Sequence, residues 1–228
     1  MGLLQTYLLL YNAASALAWA HILAATITTI WSAHANGDVA DWGTTAAAVW
    51  RAVGDEVRVV QTVAALEIVH AVLGIVRSPV VNAVMQAAAR MWLLWAITPH
   101  WPASHGQIGC VLMVLSWSLA EVPRYTFYAF NVIGRVPSSI VYLRYTLFLV
   151  LYPAGFTGEV MTMLSTLPAM KASGLAIRLP SPFTVDIPYY VMAFALAVLY
   201  APGLFIMYAH MLRQRRRALG KDAKPKSS

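Results

Sequence analysis

The chain has 228 residues, of which 60% are hydrophobic and only 11% charged. Soluble globular chains carry about 25% charged residues, so the composition excludes an ordinary soluble domain and implies an all-α polytopic membrane protein. The net charge of +7 does not point to nucleic acid, because seven of the sixteen Lys and Arg residues crowd into positions 213–228, a pattern that sets membrane topology.

The first apolar run, residues 7–30, is long enough to cross a hydrocarbon core. Ala33-His34-Ala35 resembles a signal-peptide cleavage site, but no Lys or Arg precedes the run and its core exceeds a signal peptide's, so it reads as an anchor. Met1-Gly2 with Thr6 fits a myristoylation pattern, to which an adjacent span leaves little to add. Residues 31–56 read as a polar outer loop, with Trp31, Trp42 and Trp50 suited to an interfacial belt. The second span, 57–76, carries Glu67 and His70, and Arg77-Ser78-Pro79 turns into a third, 80–98, with Gln86 and Arg90.

The fourth span, 107–130, holds Glu121, Arg124, Tyr125 and Tyr128, and Gly134 and Pro137 break the chain after it. The fifth, 138–163, contains RYTLFLVLYPAGFTGE, residues 144–159. Residues 164–187 read as a Pro-rich loop, and the sixth span, 189–211, is interrupted by Pro202-Gly203. Six spans place both termini on one side, and the basic tail makes that side cytoplasmic. The expected organisation is a six-helix domain over 1–212 and a basic cytoplasmic tail over 213–228. Lys171 and Arg178, in the last outer loop, count mildly against this orientation.

Charges at membrane depth usually neutralise one another. Glu121 and Arg124 are spaced for a pair within one helix, and Glu67 can bridge to Arg90 or Arg144. His21, His70 and His210 read as hydrogen-bonding histidines. Glu67 and His70 supply only half of a bundle metal motif, so no metal is expected.

Tyr152 and Glu159 stand apart from these groups. A charge at the bilayer centre costs roughly 2.5–3.5 kcal/mol on insertion scales, which makes a carboxylate there a candidate functional group. Seven residues apart, the two return to nearly one helix face. Pro153, Gly155 and Gly158 lie among them, so the helix is expected to kink or unwind there. A phenol and a carboxyl facing one apolar space suit proton transfer.

Five stretches in order carry a family resemblance: YLLLYNAASALAW, LEIVHAVLGIV, QAAARMWLLWAI, WSLAEVPRYTFYAF and RYTLFLVLYPAGFTGE. With them the chain resembles the 3-hydroxyacyl-CoA dehydratases, also called protein-tyrosine-phosphatase-like membrane proteins. The resemblance implies the third step of very-long-chain fatty-acid elongation in the endoplasmic reticulum: loss of water from a (3R)-3-hydroxyacyl-CoA, with no cofactor beyond the substrate's own coenzyme A. The family's Y-P-x-G-x-x-G-E pattern implies Tyr152 and Glu159 as the catalytic pair, and which is acid and which base stays open.

Arg144, Tyr145, Glu121, Arg124, Tyr125, Glu67 and Arg90 are the supporting candidates, and Arg77 and Arg135 could meet the coenzyme A phosphates. The resemblance further implies the elongation condensing enzyme and the two reductases as partners. Lys224 and Lys226 resemble an endoplasmic-reticulum retrieval signal. Cys110, with no Arg five or six residues beyond it, gives a phosphatase reading no support. A transporter or a non-catalytic scaffold on the same fold is the alternative.

Overall fold

A computed structural model describes residues 1–35, 41–76, 80–178 and 186–220, and they are mostly helical. Helix α1 runs Leu3–Ala35, and buries Asn12, Ser15, Trp19, Ile22 and Thr26. That alternating three- and four-residue spacing makes a narrow seam toward the bundle. Leu3, Leu10 and Leu17 point the other way and are exposed. An outward stripe of leucine is costly against water and natural against lipid.

Helix α2, Trp42–Ala64, is capped by Asp41, whose carboxylate accepts from the backbone of Gly43 and Thr44. It occupies much of the stretch expected to be a polar outer loop. Its inner face, Ala46, Val49, Trp50, Val53 and Val57, is buried, while Arg51 and Asp55 are exposed. Trp50, expected at an interface, is therefore a core residue, stacked on His105 at 5.6 Å. A short α3, Leu66–Val72, follows after a break at Ala65. The expected second span of 57–76 is thus divided.

Helix α4, Val80–Met91, continues into a π-helical turn, Trp92–Ile97, that sends Leu93, Leu94 and Ile97 into the core. Helix α5, Ile108–Ile133, is started by the Gln107 side chain and ended by Gly134 at φ +83°, a left-handed cap that suits glycine. It packs against α1, α2 and α7 and forms the axis of the bundle.

The fifth span is two helices, α6 (Ser138–Thr146) and α7 (Phe148–Leu164), with the break at Leu147. The helix does not unwind at Pro153: α7 runs through it. The loop expected over 164–187 contains α8, Leu167–Ser173, and an antiparallel pair, β1 (Ala176–Arg178) and β2 (Asp186–Pro188). Helix α9, Tyr189–Leu219, passes through Pro202 without a break and carries Arg213, Arg215, Arg216 and Arg217 on its last turns. Among the described residues, two helical segments, Leu3–Ala35 and Phe148–Ser173, are long and apolar enough to cross a membrane.

Candidate active site

The site starts from a close approach of two backbones. A Cβ on Gly158 would lie 2.6 Å from the Met113 nitrogen and 2.7 Å from the Gly109 oxygen, and one on Gly155 would lie 3.2 Å from the Ser116 Cβ. Glycine at these positions lets α7 rest directly on α5, as small residues do between membrane helices. These residues were expected to loosen the helix, and instead they seat it. Pro153 has no N–H to offer the Leu149 carbonyl. The Tyr208 hydroxyl donates to that oxygen at 3.5 Å, which re-satisfies the freed group.

With α7 helical throughout, the Cα atoms of Tyr152 and Glu159 lie about 10 Å apart along one face. Both line a cavity of about 300 Å³. Its walls come from α4 (Met85, Gln86, Arg90), α5 (Ser116, Trp117, Glu121, Arg124), α7 and α9 (Leu199, Met207, Met211). The Trp117 indole N–H donates to Glu159 Oε1 at 2.6 Å. The face of the same indole carries the Arg90 guanidinium at 4.7 Å. Arg90 and Tyr152 both lie within the electrostatic reach of Glu159. Tyr152 stacks on Tyr208 with ring centres 6.3 Å apart.

A charge network backs this cavity. Glu121, only 4% exposed, accepts from Arg90 Nη1 at 2.6 Å and from Arg124 Nε. Arg124 also donates through both terminal nitrogens to Glu67, at 2.8 and 3.0 Å. Gln61 accepts from Arg90 at 3.1 Å. Two arginines and two carboxylates balance one another there, as buried charges must.

The structure brings together Tyr152, Glu159, Arg90, Glu121 and Arg124, and ties Glu67 to them through Arg124. Glu67 therefore pairs with Arg124, not with Arg90 or Arg144. Tyr125 is buried beneath the Arg124 guanidinium, 4.3 Å from its ring centre, and meets Tyr11 edge-on. Arg144 and Tyr145 are not in the cavity wall. Arg144 donates to the Tyr128 hydroxyl at 2.9 Å and lies over the rings of Phe127 and Tyr128. Tyr145 meets Phe127 edge-on.

Trp117, Gln61 and Tyr208 are the residues that sequence reasoning missed. Trp117 leads one of the stretches quoted above, but an indole reads as packing until its N–H is seen to have a carboxylate partner. His70 bonds Tyr7 at 2.8 Å, His21 bonds Glu56 at 2.9 Å and His210 bonds Gln214 at 2.9 Å, the roles expected of them. Among the described residues no three His, Cys, Asp or Glu side chains group as metal ligands. Cys110 is fully buried in the core and does not line this cavity. Arg77, Lys224 and Lys226 lie outside the described residues.

The family described as protein tyrosine phosphatase-like protein, PTPLA, matches residues 61–221. The chain belongs to this family. All the supporting residues of the charge network fall within the matched part. The chain is similar to the very-long-chain (3R)-3-hydroxyacyl-CoA dehydratase hpo-8 of Caenorhabditis elegans, 36% identical over 224 residues, or 97% of this chain and 98% of that one. The dehydratase PASTICCINO 2A of Oryza sativa subsp. japonica is 36% identical over 95% of this chain and 94% of its own length. The very-long-chain (3R)-3-hydroxyacyl-CoA dehydratase 2 of Homo sapiens is 38% identical over 160 residues, 70% of this chain and 63% of its own. No solved structure matches the chain.

Proposed function

We propose that this protein is a membrane-embedded hydro-lyase that converts a very-long-chain (3R)-3-hydroxyacyl-CoA to the trans-2-enoyl-CoA. Homology to dehydratases so named supports the reaction. The observation that carries the assignment to residues is the shared cavity: Tyr152 and Glu159 face one largely apolar space, with a neutralised arginine network behind it.

In this reading Glu159 takes the proton from C2 of the acyl chain. The electron pair left behind forms the C2–C3 double bond as the C3–O bond breaks. Tyr152 gives its phenolic proton to the departing oxygen, which leaves as water, and proton return from Glu159 to the phenolate resets the pair. No carbon skeleton is oxidised or reduced overall, so the step calls for no redox cofactor. The Trp117 N–H aims the Glu159 carboxylate, and Arg90 and Arg124, held by Glu121 and Glu67, set the field felt by the developing negative charge. The acyl chain lies among Met85, Phe156 and Leu199 and the lipid beyond.

The topology that goes with this reaction has six crossings, with both termini in the cytoplasm. The tail of 213–228 then faces the cytosol of the endoplasmic-reticulum membrane, where Lys224 and Lys226 serve as the retrieval signal. The condensing enzyme that makes the 3-ketoacyl-CoA and the two reductases of the same cycle are the proposed partners.

The test is direct. The purified full chain, in detergent, is given (3R)- and (3S)-3-hydroxyacyl-CoA of several lengths, and loss of water is followed by mass and by enoyl-thioester absorbance. Conversion of the (3R) isomer is the expected result. Absence of conversion at every length would remove the dehydratase reading.

A further inference from the structure

The cavity has a closed floor and an open side. Ser116, Trp117 and Glu121 of α5 line it and are almost fully buried. Met85 of α4 and Leu199 of α9 line it as well, yet they are 60% and 69% exposed. A side chain that is both wall and outer surface marks a rim, so the cavity opens outward between α4 and α9. The residues beside the rim in sequence, Val84 and Val198, are apolar and exposed too, which suits contact with lipid tails.

Helix packing leaves the opening there. Helix α4 rests on α2, α3 and its own π-helical continuation, and α9 rests on α6, α7 and α8. Among the described residues α4 and α9 make no extended contact with each other. The start of α9 is tied to the π-helical turn instead. The Tyr189 ring lies 5.6 Å from that of Trp92, and its hydroxyl donates to the Ala96 carbonyl at 3.2 Å. That tie closes the seam at one end. From it Leu199 lies ten residues along α9, about 15 Å, and Met85 lies seven residues back along α4, about 10 Å.

Volume decides what must pass the rim. The cavity of about 300 Å³ is at the low end for sites that enclose a small molecule. Tyr152 and Glu159 need the reacting carbons and the thioester inside it, and a very long acyl chain does not fit beside them. Enclosure is also unnecessary, because a methylene leaves water as favourably for a bilayer as for a protein wall.

We infer that the gap between Met85 and Leu199 is a side doorway through which the substrate's acyl chain leaves the cavity for the bilayer. The identity of that chain rests on the dehydratase reading. The protein holds the reacting end, and lipid holds the remainder. Once the chain has passed the doorway, further methylenes lie beyond the protein and add nothing to recognition. Bulk placed on the rim turns this tolerance of length into a limit.

The experiment uses the full chain in nanodiscs and compares 3-hydroxystearoyl-CoA with 3-hydroxyoctanoyl-CoA. Leu199→Trp is expected to lower the ratio of their kcat/KM values, stearoyl over octanoyl, by about tenfold or more, as a built clash does. Met85→Trp narrows the gap from the other helix and is expected to act in the same direction, so the test stands if one variant fails to fold. Val150→Trp, at an exposed position of α7 outside the cavity wall, is the control for added bulk and should keep the wild-type ratio. An unchanged ratio in the folded rim variants would overturn the inference.

A stearoyl thioester of coenzyme A with a diazirine at mid-chain gives a second readout. Irradiation is expected to label Met85 and Leu199 in preference to Val150, which also faces outward. Label confined to α5 would mean that the chain coils inside the bundle, and the inference would be wrong. If the wild type converts neither substrate, the dehydratase reading fails, while preferential label at Met85 and Leu199 still upholds the doorway for a long-chain thioester.

Discussion

Two clusters of arginine divide this molecule. In the middle of the bundle, Arg90 and Arg124 are matched by Glu121 and Glu67 at hydrogen-bond distance. At the end of α9, Arg213, Arg215, Arg216 and Arg217 follow one another without a described carboxylate partner. The same side chain serves opposite ends. Charge neutralised inside the fold holds helices together and shapes a field, whereas charge left uncompensated at the edge is available to something outside it.

The largest effect that would break this contrast comes from the inner cluster. Glu121→Gln leaves two guanidinium groups without their shared carboxylate, and stability should fall by about 3–5 kcal/mol, as for other broken buried pairs. The outer arginines should behave differently: Arg216→Gln with Arg217→Gln should stay within about 0.5 kcal/mol of wild type. Thermal melts in one detergent read both. Equal losses would mean the two clusters are not different in kind.

Trp117→Phe gives a smaller effect that sharpens the account of the inner region. Phenylalanine keeps a ring face for Arg90 but has no N–H for Glu159 Oε1, which now receives it at 2.6 Å. Loss of one hydrogen bond to a charged group, about 1.5–3 kcal/mol, should reduce kcat by about tenfold or more with little change in KM. A normal kcat would show that the indole packs without aiming the carboxylate.

The smallest expected effect lies at the bundle's other end. Burial, helped by the nearby positive charge of Arg58, holds the His105 imidazole below its ordinary value, against the backbone interaction at Thr98. The folded state thus favours the neutral ring. Its contribution is full above the ordinary imidazole range, about 6.5, and fades as pH falls through it. His105→Asn should flatten the slope of melting temperature between about pH 7 and pH 5. An unchanged slope would place the acid sensitivity elsewhere.

Much of the inner region was legible in the sequence because polar side chains stand out against an apolar background. Tyr152, Glu159, Glu121, Arg124 and Arg90 share one cavity wall, and each was visible as an ionisable group in an apolar run. Helix α2 was hidden for the opposite reason. Its exposed charges, Arg51 and Asp55, made the segment look like a loop, although Ala46, Val49, Val53 and Val57 keep helical spacing.

Pro153, Gly155 and Gly158 were misjudged because local preference takes no account of a neighbour. Against α5 the glycines are contact points, and Tyr208 supplies the hydrogen bond that proline removes. The partner of Glu67 was equally out of reach, since spacing along the chain does not say which helix faces which. Arg124, not Arg90 or Arg144, holds that carboxylate.

The most direct measurement of the central claim is turnover of a (3R)-3-hydroxyacyl-CoA by Tyr152→Phe and Glu159→Gln, each purified as the full chain and checked for a wild-type size-exclusion profile. The account predicts that each folded variant loses activity by about a hundredfold or more, the scale of a positioned acid or base, with a pH–rate profile of the wild type then assigning the two roles. Near-normal turnover in both variants, beside an active wild type, would contradict it and move the chemistry to Glu67, Glu121 and Arg124.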